Sequence, residues 1–216
     1  MATQTNVKFS RVSIPIADAL AQLQEEAFDP LRIELRKFAR IQPTGEDEFP
    51  GYDVIGRPLD LRSIEAVLDE VGRGESFGLG YLVGVPAYIY LNFFDFDDAG
   101  YSALLTFDSS VLYFRDDKSA QGQLLERILS RTCDALDVDV CGYNSSDRYI
   151  GEFDALAVAE IVDGVRSGEL LRMEQPFFYA IKADHLTTES ILSAIPHTLA
   201  KHKRLGRYHV LSAWPR

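Results

Sequence analysis

Apolar positions along this 216-residue chain recur at two spacings, and the switches between them divide it into elements. Residues 6–14 alternate as a short strand that Pro15 ends. Residues 16–28 bring Leu20, Leu23, Ala27 and Phe28 near one face at helical spacing. Asp29-Pro30 reads as a helix start, with Leu31, Leu35 and Phe38 following as its stripe. Residues 42–58 hold Pro43, Gly45, Pro50, Gly51, Gly56 and Pro58 and read as a loop, a hinge, lid or contact segment. Asp60 then caps a helix to about Val71, with Ile64, Val67, Leu68 and Val71 inward.

The pattern changes at residue 77. Residues 79–94 and 101–115 form strand regions joined by Asp95–Gly100, an antiparallel hairpin in which Pro86 splits the first region. Ser119 opens a helix whose Leu124, Leu125, Ile128, Leu129, Cys133 and Leu136 make a core stripe. A strand at 137–143 follows, then a helix at 153–166, a strand at 177–183, a helix at 187–203 bent at Pro196, and a closing strand at 207–214. This order predicts an α+β fold: a mixed, largely antiparallel sheet with helices packed on it, one globular unit over 1–216. Within it, 1–76 is the mainly helical part and 77–216 the sheet-plus-helix part.

Composition adds little to that picture. Hydrophobic residues at 46% and charged ones at 25% are ordinary globular usage, sufficient for a core without disulfides or metals. Cys133 and Cys141 fall on a helix and a strand with no histidine at ligand spacing, which predicts buried thiols. The uncharged run 77–94 approaches membrane-span length. Gly78, Gly80, Gly84 and Pro86 make it a poor helix, however, and its aromatic and β-branched content suits buried strands. The first fifteen residues lack a signal-peptide pattern, so a cytoplasmic location is expected.

Charge changes the picture more. The formal net charge is -11. Residues 1–76 carry 9 basic and 14 acidic groups, residues 77–168 carry 6 and 15, and residues 169–216 carry 7 and 4. So acidic a middle repels phosphate backbones, which argues against nucleic-acid binding and suits a basic protein partner.

The chemical motifs dissolve on inspection. Gly74-Glu75-Ser76-Phe77-Gly78 has the spacing of a hydrolase nucleophile turn, but a helix precedes it and a strand follows, the reverse of the required order. Gly78-x-Gly80 opens no helix that would hold a pyrophosphate. Asp95, Asp97 and Asp98 crowd one turn, yet a calcium loop counted from Asp95 would need an acid where Thr106 stands. Asp116-Asp117 falls at the far end of the following strand and belongs to no shared site. His185, His197, His202 and His209 show no metal spacing, and His209 is placed to meet an acid across the sheet. Lys201-His202-Lys203-Arg204 with Gly206 reads as a basic helix end and its cap.

No nucleophile, base and oxyanion hole assemble, and no metal or cofactor is called for. The expectation is an acidic protein-binding module, an inhibitor or immunity-type protein that neutralises a bacterial toxin or effector. Its contacts would be Glu46, Asp47, Glu48, Asp95, Asp97 and Asp98. The alternatives are a hydrolase or transferase with a pocket under 42–58 using an acid with His209 or His185, and a self-associating assembly subunit.

Overall fold

A computed structural model describes residues 4–44, 51–72, 74–83, 87–108, 120–144, 155–172, 177–195 and 200–213. Ten strands form one sheet: β1 (Gln4–Phe9), β2 (Ile33–Thr44), β3 (Gly51–Leu59), β4 (Phe77–Val83), β5 (Tyr88–Asp97), β6 (Gly100–Asp108), β7 (Val140–Asn144), β8 (Phe177–Lys182), β9 (Lys201–Leu205) and β10 (Tyr208–Ala213). Their order is β3-β2-β4-β5-β6-β1-β7-β8-β10-β9, and every pairing is antiparallel. The fold is α+β, as the element order predicted.

The helices are α1 (Ile16–Gln22), α2 (Ile64–Glu70), α3 (Ala120–Leu136), α4 (Val158–Arg166) and α5 (Thr188–Ala194). α1 runs on into a wider turn over Leu23–Phe28. With α2 and α3 it joins Val7, Phe9, Leu79, Leu91, Leu105 and Cys141 in the main core. Strand alternation sends the neighbours of those residues to the opposite face. There, at the β7–β10 end, Val140, Ile181 and Leu211 meet α4 and α5 in a second cluster. The outer face of β2, β4 and β5 carries no described helix.

Three expectations fail, each for a tertiary reason. Leu35 and Phe38 are not helical: β2 pairs with β4 on one side and β3 on the other, and both residues are buried in the sheet core. A kink between Leu35 and Lys37 breaks strict alternation and leaves a spacing that mimics a helix. Most of 42–58 is hairpin rather than loop: β2 runs to Thr44 and β3 from Gly51, with residues 45–50 outside the described set. The long C-terminal helix ends at Ala194, and Lys201–Leu205 is instead edge strand β9. Gly206, at φ +56, is the first residue of the two-residue turn to β10 and not a helix cap.

One smaller difference follows the same logic, and two expectations hold. Ser63, not Asp60, caps α2, its hydroxyl accepting from the Ala66 N–H at 3.2 Å. The 77–94 run is β4 and β5, residues 84–86 apart, and no helix among the described residues is long and apolar enough to cross a membrane. Cys133 and Cys141 are both fully buried free thiols, and burial pushes the Cys133 thiol up.

Candidate functional site

Of the six expected contact residues, the structure describes three. Glu46, Asp47 and Glu48 lie outside the described residues, as do Ser119, Asp116-Asp117 and His197. Asp95, Asp97 and Asp98 are all exposed at the β5–β6 turn. The turn is braced from the side. Arg11 reaches Asp97 Oδ2 at 2.6 Å and donates to the carbonyls of Asp95 at 2.7 Å and Gly100 at 3.1 Å. Arg11 holds the Asp97 carboxyl below its usual range, helped by the Ala99 N–H. Gly100 is required here: at φ +132, a Cβ would fall 1.9 Å from the Val12 carbonyl oxygen, where Val12 and Tyr101 pair.

Register places this turn relative to the other strands. Ile55 pairs with Arg40, Arg40 with Phe77, and Phe77 with Phe93, so these four form one row across β3, β2, β4 and β5. Beyond that row, β2 and β3 run toward residues 45–50, and β5 runs toward its acidic turn. The C-terminal ends of β2 and β5 and the start of β3 therefore lie at the same end of the sheet. Arg40 also binds Glu70 at 3.3 Å and Glu75 at 3.4 Å. Ser76 of the discarded hydrolase-like motif lies beside this row, its carbonyl accepting from the Ile41 N–H.

β3 is an edge strand, and its Val54 and Ile55 are 46% and 52% exposed. Gly56, at φ +75, breaks its pairing between Ile55 and Leu59. That break sets Arg57 and Pro58 over a cleft of about 470 Å³ on the bare outer face. The cleft floor is two rows of the sheet, Lys37–Gly80–Tyr90 and Ala39–Gly78–Asn92. Gly78 and Gly80 make room for side chains of the neighbouring strands: a Cβ at Gly78 would sit 2.5 Å from Asn92 Oδ1, and one at Gly80 3.1 Å from the Tyr90 ring. Asn92 is 1% exposed, and its Nδ2 has no hydrogen-bond partner among the described residues. Lys37 Nζ binds Asp60 Oδ1 at 2.5 Å, which holds the lysine charged and the Asp60 carboxyl below its usual range.

A pocket thus exists beneath β3, but the expected histidines are elsewhere. Among the described residues, His209 does not meet an acid. Its Nδ1 lies 2.9 Å from His202 Nε2 across the β9–β10 hairpin, and its Nε2 lies 3.0 Å from Arg204. His185 does face an acid, Asp139, at 3.3 Å, within an ionic network where Lys182 binds Asp137 and Asp139 and Arg207 binds Asp134 and Asp137. β8 and β10 are four and five strand places from β5, the nearest strand of the cleft, ~19 Å or more along the sheet, so neither histidine lines it. Sequence reasoning expected a pocket under 42–58 but missed the lining that β2, β4 and β5 contribute. The one signal for that lining was the pair Gly78 and Gly80, two positions apart on a strand and so leaving room on one face for side chains of the neighbouring strands. No protein-family model matches the chain, and no curated protein or solved structure is significantly similar to it.

Proposed function

We propose that this chain is an acidic protein-binding module of the inhibitor or immunity type, which neutralises a basic toxin or effector by covering it. The observation that supports the reading most is the exposure of Val54 and Ile55 on the unpaired edge of the sheet, at the end from which the acidic β5–β6 turn projects. Interfaces of this kind combine an apolar centre with a charged rim. The rim here is Asp53, Asp95, Asp97 and Asp98, together with Glu46, Asp47 and Glu48 from the segment between β2 and β3. The edge strand and the acidic turn are three strand places apart, ~14 Å, well within a standard contact face.

The test is a pull-down from the native cell at low salt, run in parallel with the wild-type chain and an Ile55→Asp variant. The reading expects a basic protein held by the wild type, released by salt, lost from the variant, and inhibited in its own activity by the purified chain. Identical captures by both chains, capture of a second copy of this chain alone, or a partner whose activity is untouched would each overturn it.

A further inference from the structure

The cleft beneath β3 shares only Val54 with that protein-binding surface, and its chemistry is of the opposite sign. Lys37 and Arg57 line it, and Arg62 adds a third positive charge near Asp60, its one lining acid among the described residues. In a chain of net charge -11 this is a positive island. Lys37 and Asp60 bind one another directly, whereas Arg57 acts on Asp60 only through its charge and makes no hydrogen bond or ion pair among the described residues. An unpaired guanidinium presents a planar fork of donors whose natural complement is a carboxylate.

The remainder of the cleft describes the body of a ligand. Its floor is sheet, with the Asn92 amide lying over Gly78, the edge of the Tyr90 ring over Gly80 and the small side chain of Ala39 alongside. The two glycines let these side chains lie close against the sheet. Tyr90, 40% exposed and stacked on Tyr88 at 6.0 Å, offers a ring wall, and Val54 and Pro58 face it from β3. The Asn92 amide, buried with an unpaired Nδ2, waits in the floor for a second polar group. A buried unpaired donor is costly to a fold, so a partner that arrives with a ligand accounts for its retention.

We propose that this cleft binds a small aromatic carboxylate, its carboxylate on Arg57, its ring against Tyr90 and Ala39 beneath Val54 and Pro58, and a polar ring substituent on the Asn92 amide. The volume suits a molecule of this size.

The probe is 4-hydroxybenzoate, titrated into ¹⁵N-labelled protein alongside its neutral analogue 4-hydroxybenzamide and inorganic phosphate. Expected are saturable shifts of the Gly78 and Gly80 backbone amides and of the Asn92 side-chain amide with the carboxylate. Arg57→Gln, a surface change that leaves the remaining spectrum in place, weakens binding about tenfold. Ile55→Asp, outside the cleft, leaves binding unchanged, so a failure of the partner reading and a failure of this one are separable. Equal binding of the amide analogue, equal shifts with phosphate, shifts that bypass Gly78, Gly80 and Asn92, or no shift up to about 10 mM would each overturn the assignment.

Discussion

His202 Nε2 lies 2.9 Å from His209 Nδ1 across the β9–β10 hairpin, and the neighbouring Arg204 decides which ring holds which proton. A guanidinium only donates, so His209 Nε2, 3.0 Å from Arg204, is an acceptor and carries no proton. The His209 proton is therefore on Nδ1 and is donated to His202 Nε2. Both rings are neutral in this arrangement. Burial and then Arg204 push both below the usual histidine value of 6.5, His202 adds to the effect on His209, and a hydrogen bond with the Leu186 backbone opposes it.

The sign of the pH dependence follows. Below 6.5 the unfolded chain takes up protons that the folded pair resists, so stability contributed by the neutral pair is full above 6.5 and is lost as the pH falls. Urea midpoints measured between pH 7.5 and 5 are expected to fall more steeply for the wild type than for His202→Gln. Parallel curves would remove the pair from the pH response.

The Tyr208 hydroxyl is buried and lies 3.0 Å from the Cys133 carbonyl and 2.9 Å from the Val138 carbonyl, tying β10 to the end of α3. Tyr208→Phe keeps the ring and removes the donor from two buried acceptors. The expected loss is about 1–2 kcal/mol in denaturant unfolding with an unchanged slope.

Gly78 and Asn92 occupy each other's space. Gly78→Ala puts a methyl 2.5 Å from Asn92 Oδ1 and forces the amide aside, at an expected cost of about 1–3 kcal/mol. Asn92→Ala removes both the obstacle and an unpaired buried donor. The double variant is therefore expected to be more stable than the sum of the single changes predicts, a coupling readable from a double-mutant cycle. Additive losses would mean that the two residues do not compete.

Neutralising Asp95, Asp97 and Asp98 to Asn acts on the protein-binding reading. Once the partner is in hand, stopped-flow association is expected to slow and its salt dependence to flatten, with dissociation changed less. An unchanged association rate would take these carboxylates out of the contact.

The elements that were legible in the chain are those whose pattern is local. The α3 stripe from Leu125 to Leu136 and the β5–β6 hairpin around Asp97–Gly100 carry their own signatures. Leu35 and Phe38 were misread because a strand irregularity imitates helical spacing, and only pairing on both sides reveals β2. Lys201–Leu205 continues a charged, apparently helical run, and becomes a strand because β10 pairs with it. The acidic turn could be read as a cluster of charges. A pocket under 42–58 was expected, but its walls could not be read, since they are assembled from β2, β3, β4 and β5.

One consequence of β1's place between β6 and β7 concerns the order of events on folding. Its Asn6 accepts a hydrogen bond from Thr106, 100 residues on, and Ser10, just after it, accepts one from the Val140 N–H, 130 residues on. The first strand in the chain is thus the seam that joins the halves of the sheet, and it has to wait for both. Contacts so distant in sequence bring their entropy cost before their reward, which makes the seam a late and slow step. Until it closes, the neighbouring strands stand open, and a chaperone or a stray second chain would find its opportunity there.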